Sequence, residues 1–266
     1  MLAALKRHWP EYLIEACSLG FFMFSAGVFT VLLEHPGSPL RQALPDSMPR
    51  RALMGMAMGL TSAAIVYSPW GMRSGAHINP AVTLTFWRLG KIEPEDAAFY
   101  MMAQFSGAAV GMSVAAVILM SALGDASVNY AITVPGMRGP AAAFAAELAI
   151  SFGLMMMVLV ASNVRRLGRL VGLFAGILVA LYITFESPLS GMSMNPARTF
   201  GSALQAGVWN SFWIYLTAPP LAMLAAAEVY VRVRGLRAVH CAKLHHENNT
   251  RCIFRCDYPM LAAGGR

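Results

Sequence analysis

The chain has 266 residues, 57% of them hydrophobic and only 12% charged, with 20 basic against 13 acidic residues for a net charge of +7. Its charged fraction is about half that of an ordinary soluble domain, and that much apolar surface cannot be hidden from water. Basic and aromatic residues do not interleave, so the positive charge fits anionic lipid head groups and excludes a nucleic-acid surface.

In chain order, the first ten residues carry Lys6 and Arg7 without a signal-peptide cleavage pattern, so they read as a short N-terminal cytoplasmic segment. A hydrocarbon core needs about 20 apolar residues per helix. Six stretches supply this, at 11–33, 51–69, 96–123, 140–162, 168–186 and 211–233. Two further apolar pieces, 79–88 and 195–205, are too short to cross. Residues 11–235 therefore read as one membrane domain in two halves, 11–123 and 140–235, followed by a basic tail at 236–266.

Six crossings put both termini on one side. Lys6, Arg7, Arg165, Arg166, Arg169, Arg232, Arg234, Arg237 and most of the basic tail share that side, which places it in the cytoplasm. The 34–50 loop dissents mildly with Arg41 and Arg50, but Glu34 and Asp46 accompany them. Of the four cysteines, Cys17 lies in the first helix and Cys241, Cys252 and Cys256 in the tail. A reducing cytoplasm argues against structural disulfides there. Cys241 and His245 are four apart, as are Cys252 and Cys256, so each pair would share a face of a helix, and the four could form a tetrahedral zinc site. The spacing matches no common zinc signature, and free thiols are the simpler reading.

The two short pieces repeat each other. Ser74-Gly75-Ala76-His77-Ile78-Asn79-Pro80-Ala81-Val82-Thr83 aligns without gaps with Ser190-Gly191-Met192-Ser193-Met194-Asn195-Pro196-Ala197-Arg198-Thr199. Asn is a favoured helix N-cap, and Pro is favoured at the first helical position, where its missing N–H costs nothing. Each copy therefore reads as a half-helix fed by an extended loop. Non-helical backbone is tolerated at membrane depth only where it lines a cavity, and paired discontinuous helices mark such places.

With Ser-Gly-Ala-His before the first Asn-Pro-Ala, Arg198 after the second, and Glu15 and Glu147 early in the first and fourth helices, residues 11 to 235 resemble the major intrinsic protein family of aquaporins and glycerol facilitators. The resemblance implies an all-α membrane protein with six transmembrane helices plus two re-entrant half-helices in an inverted repeat. It further implies a homotetramer in the cell membrane, with a pore in each protomer for water and small neutral solutes such as glycerol. The half-helices would enter from opposite faces and bring the amides of Asn79 and Asn195 together as pore donors. Each helix N-terminus carries roughly half a positive charge, which repels protons and cations. Carbonyls of residues 75–78 and 191–194 would form two acceptor ladders.

The resemblance assigns the selectivity filter to Met58, Ile183, Met192 and Arg198, and loop bracing to Glu15, Glu147 and His77. A charge at membrane depth is a functional hypothesis by default, which supports Arg198. Bracing by the two acids has a physical basis, since an ionised carboxylate accepts several strong hydrogen bonds. Glu186 has no counterpart in the common pattern and is expected near the outer end of the fifth helix. Cues on the solute are mixed. Ile183 stands where many water-selective members carry His, which makes the filter more apolar. Thr199 in place of the glycerol facilitators' Asp, and the short outer loops, favour water. Tyr215 matches an aromatic of water channels, although Leu216 replaces their usual Trp. No nucleophile–base pair, nucleotide loop or metal-bound water motif accompanies these features, so neither catalysis nor a cofactor is expected. The competing readings are a glycerol facilitator first, a secondary transporter, and a non-conducting scaffold.

Overall fold

The computed structural model describes residues 1–246 and 248–258; of the expected tail, residue 247 and residues 259–266 lie outside that description. Among the described residues the regular elements are helical. They are α1 (Leu2–Glu34), α2 (Ser47–Tyr67), the half-helix α3 (Pro80–Arg88), α4 (Pro94–Leu119), α5 (Gly139–Ser162), α6 (Val171–Phe185), the half-helix α7 (Pro196–Ala206) and α8 (Phe212–Arg234). Five of the six long helices are long and apolar enough to cross a membrane, α6 together with the 3-10 turn before it. The sixth, α2, has 21 residues and bears Arg50 and Arg51 near its start.

Element starts follow local chemistry. Pro80, Pro94 and Pro196 each open a helix, as their fixed φ and absent N–H favour. Glu95 and Asp96 add acidic charge to the first turn of α4, where the helix dipole welcomes it. Residues 2–10, expected as a separate segment, instead extend α1 through Pro10. They are held by His8 Nδ1 at 2.8 Å from Asp96 Oδ1, and Tyr12 donates to the same oxygen at 2.5 Å. In the 34–50 loop, the buried Arg50 guanidinium meets Glu34 at 3.1 Å, so its charge is satisfied within the protein.

The packing exposes the repeat. α1 lies along α4, α5 lies along α8, and α2 lies along α6 between the halves. α3 reaches across to α8, while α7 reaches back to α4. Small residues allow these approaches. A Cβ on Gly59 would sit 2.4 Å from the Gly176 carbonyl oxygen, and one on Gly111 would sit 2.2 Å from that of Gly20. In a bilayer, where lipid tails match Leu in polarity, such close backbone contact is a principal source of helix association.

The N-terminal ends of α1 and α4 and the C-terminal ends of α5 and α8 share one end of the bundle. His8–Asp96, Arg255–Glu93 and Tyr258–Ser162 contacts tie that end together. The loop after Tyr67 enters from this end and the loop after Phe185 from the other.

Candidate functional site

Both entry loops are built to one plan. A short helix, Pro69–Ser74 or Ser187–Ser190, ends at a left-handed glycine, Gly75 (φ 96°) or Gly191 (φ 80°). The left-handed region then recurs at Ala76 (φ 55°) and Ile78 (φ 40°), and at Met192 (φ 54°) and Met194 (φ 53°). For non-glycine residues this conformation costs on the order of 1–2 kcal/mol each, so the surroundings must hold it in place.

Two buried carboxylates do so. Glu15 Oε1 accepts from Ser74 Oγ (2.7 Å) and the His77 N–H (3.1 Å), and Oε2 from the Ile78 N–H (2.6 Å) and Gln104 Nε2 (2.8 Å). Glu147 Oε1 accepts from Ser190 Oγ (2.8 Å) and the Ser193 N–H (2.7 Å), and Oε2 from the Met194 N–H (2.8 Å). Tyr100 and Tyr215 donate to the carbonyls of Ser74 and Ser190 at 2.6 and 2.5 Å. Thr83 Oγ1 lies 3.0 Å from His77 Nδ1, and its repeat partner Thr199 lies 2.6 Å from Ser193 Oγ. Sequence reasoning did not single out Ser74, Ser190, Thr83, Gln104 or Tyr100. The decamer alignment already pairs Ser74 with Ser190 and Thr83 with Thr199, and that was the available signal.

The half-helix caps meet at the centre. Asn79 Oδ1 accepts the Ala81 N–H at 2.9 Å; Asn195 Oδ1 accepts those of Ala197 and Arg198 at 3.1 and 3.2 Å. Each amide then reaches across: Asn79 Nδ2 donates to the Met194 carbonyl at 2.8 Å, and Asn195 Nδ2 to the Ile78 carbonyl at 2.7 Å. The amides are therefore not turned wholly outward. Each spends one hydrogen on the opposite loop and keeps its second. The same bonds fill one of the two acceptor sites on each of the Met194 and Ile78 carbonyls.

One cavity of about 290 Å³ is lined by Asn79 and Asn195, and by Met58, Ile183, Met192 and Arg198. Arg198 Nη1 is buried there with no acceptor among the described residues, leaving a donor for whatever occupies the space. Thr30, Glu34 and Arg51 line its wall towards the end away from the termini. Glu186 is buried immediately after α6.

At the termini end, the cavity wall includes Leu244 from the tail. Instead of the expected helix, residues 239–246 and 248–257 form irregular chain packed on the bundle. The Leu244 N–H donates to the Gly75 carbonyl at 3.2 Å, so the outermost carbonyl of the first loop already accepts one bond from the tail. His77 has both ring nitrogens engaged, Nδ1 with Thr83 and Nε2 at 2.8 Å from the Ala242 carbonyl. A carbonyl only accepts, so Nε2 carries the hydrogen. The ring is sandwiched between Phe86 and Phe254, both with centroids 5.3 Å away. Arg255 forms a bidentate pair with Glu93, both bonds 2.7 Å, and this holds the Glu93 carboxyl below its usual range. Because residues 241–246 and 252–256 are not helical, the four-residue spacing does not set their faces. The histidine beside Cys241, Cys252 and Cys256 is His246, whereas His245 packs edge-on against Tyr67 at 5.3 Å.

Two half-helices whose capped N-termini meet beside one cavity, inside an apolar six-helix bundle, define a membrane fold with paired re-entrant segments. The chain belongs to the major intrinsic protein family, whose profile matches residues 5–230. It is 39% identical over 171 residues to Aquaporin NIP6-1 of Arabidopsis thaliana, covering 64% of this chain and 54% of the relative. It is 37% identical over 177 residues to Aquaporin NIP1-3 of Oryza sativa subsp. japonica, covering 66% and 60%. The matches thus span little more than half the length of these relatives. The X-ray structure of the aquaglyceroporin from Plasmodium falciparum shares the fold, with a TM-score of 0.70 at 20% identity, covering 87% of this chain and 98% of that one.

Proposed function

We propose that this protein is a passive channel for water and small uncharged solutes that excludes protons and ions. The observation that carries the reading is the pair of cross-loop amides, Asn79 to Met194 and Asn195 to Ile78, on the wall of one cavity. Each retains a hydrogen, and the two caps join the positive ends of α3 and α7. A water accepting from both amides points its hydrogens away from the centre, which interrupts a proton-conducting chain, and the paired dipoles repel cations. Met58, Ile183, Met192 and Arg198 form the filter, with the unpaired Arg198 Nη1 as donor and the other three as an apolar wall. That lining suits water first and accommodates glycerol-like molecules. Glu15, Glu147 and His77 act as braces. The chain works as a homotetramer in the cell membrane with both termini cytoplasmic, the side favoured by its basic loops.

Stopped-flow light scattering on proteoliposomes tests this, using the parent and Leu244→Ala, in which the side chain at the cavity mouth is shortened. Water flux above that of empty liposomes, linear in the osmotic gradient and without proton leak, is expected in at least the variant. Flux that saturates or follows an ion gradient indicates a transporter, and no flux in either protein indicates a scaffold.

A further inference from the structure

The tail is folded onto the channel more tightly than a connecting segment needs. Val239, Ala242, Lys243, Leu244 and Phe254 are buried. His240 N–H donates to Asn163 Oδ1 at 2.7 Å, Arg255 N–H to the Lys91 carbonyl at 3.0 Å, and Lys91 Nζ meets Asp257 at 2.6 Å. So short a stretch of irregular chain has little core of its own, and small units of this kind are commonly stapled by a metal or disulfide.

At its centre, one ligand atom each from Cys241, His246, Cys252 and Cys256 lies within 4.8 Å of all the others. Cys241 Sγ is 3.5 Å from Cys252 Sγ, and Cys256 Sγ is 2.9 Å from His246 Nε2. Around a tetrahedral zinc, with bonds of about 2.3 Å to sulfur and 2.0 Å to nitrogen, neighbouring ligand atoms stand about 3.5–3.8 Å apart. Small side-chain adjustments convert one geometry into the other. The imidazole is oriented by stacking on Tyr258, with centroids 4.2 Å apart and an 8° interplanar angle. The Lys243 N–H points at Cys241 Sγ at 3.5 Å. Three thiolates, a neutral imidazole and a divalent ion sum to −1, and the buried Lys243 ammonium supplies the balancing charge.

We propose that Cys241, His246, Cys252 and Cys256 bind one zinc-class divalent cation, and that this ion locks residues 240–246 and 248–257 as a lid on the termini-side mouth of the cavity, with Leu244 as its stopper. Three thiolates and one imidazole in tetrahedral array select zinc over harder ions, and four protein ligands leave no open position for catalysis. The ion takes the three cysteines as thiolates. The lid is coupled to the first pore loop through Leu244–Gly75, Ala242–His77 and the Phe254 ring on His77. The lid's effect on conduction rests on the channel reading; the metal site does not.

The test uses the full chain, reduced and stripped of metal. Titration with Co²⁺ is expected to give one equivalent of tetrahedral cobalt–thiolate absorption, displaced by Zn²⁺. Cys256→Ser should abolish it and His246→Ala weaken binding at least tenfold, while His245→Ala retains it. Failure to bind cobalt or zinc overturns the site, as does loss of binding in His245→Ala with retention in His246→Ala. A Cys241–Cys252 disulfide in the purified protein, with no metal uptake after reduction, does the same. In proteoliposomes, Zn²⁺-loaded parent should pass water several-fold more slowly than chelated parent, while Leu244→Ala conducts in both conditions. Equal flux in loaded and chelated parent overturns the lid. No flux even in Leu244→Ala counts against the channel reading instead, with the cobalt result standing on its own.

Discussion

Replacing Glu147 with Gln is the sharpest probe of how the second loop is held. The carboxylate accepts three bonds at 2.7–2.8 Å, two of them from the backbone N–H groups of Ser193 and Met194. A Gln carbonyl can keep the Ser190 and Ser193 pair, but its NH₂ then faces the Met194 N–H, donor against donor. A hydrogen bond to a charged group contributes about 1.5–3 kcal/mol, and a buried N–H left unsatisfied costs about 1–3 kcal/mol. Against this, Met192 and Met194 hold left-handed backbone costing on the order of 1–2 kcal/mol each. The lost support is as large as the strain it balances, so the loop should relax and carry Asn195 with it. We expect about 3 kcal/mol of destabilisation, roughly 6–12 °C in the midpoint for a chain of this size. Water flux per folded channel should fall at least tenfold. Differential scanning fluorimetry in detergent and stopped-flow scattering of the same preparation measure both. An unchanged midpoint together with full flux would refute the bracing argument.

The other perturbations act on separate parts of the site. Asn195→Asp keeps the cap acceptor but removes the donor to Ile78 and adds negative charge, so a proton or cation leak, reduced water flux, or both should appear in pH-dye-loaded vesicles; tight, normal flux counts against the amide's role. Ile183→His should narrow and polarise the filter, lowering any glycerol flux while leaving most water flux; glycerol passage that is absent in the parent, or equal in both proteins, contradicts the assignment. Gly59→Val places side-chain carbon against the Gly176 carbonyl and should part α2 from α6, so that little monodisperse protein survives size-exclusion chromatography. A well-folded Gly59→Val would mean that this contact is not tight.

The half-helices were legible because Asn followed by Pro is a local signal that needs no tertiary information, and the repeat supplied the second copy. The extents of the long helices were less so. Hydropathy marks what lies in lipid, whereas α1 continues to Leu2 because Asp96, distant in sequence, receives His8 and Tyr12. Thr83 and Gln104 looked like ordinary polar residues in apolar stretches until the fold placed them beside His77 and Glu15. The tail was the largest gap. Helical spacing nominated His245, but residues 239–246 and 248–257 take their shape from Gly75, His77, Lys91 and Glu93, contacts that no local periodicity encodes.

The matched left-handed turns at 75, 76 and 78 and at 191, 192 and 194 have a consequence for how this chain can vary. The acceptors along each loop are peptide carbonyls, and their direction is written in torsion angles rather than in residue identity. Exchanging Ala76, Ile78, Met192 or Met194 for other apolar residues would alter bulk while deleting no acceptor. On the channel reading, the acceptors a solute meets are thus set by backbone that the two glutamates hold, and the space it finds by the apolar side chains beside them. A lineage can retune what fits without rebuilding what recognises it.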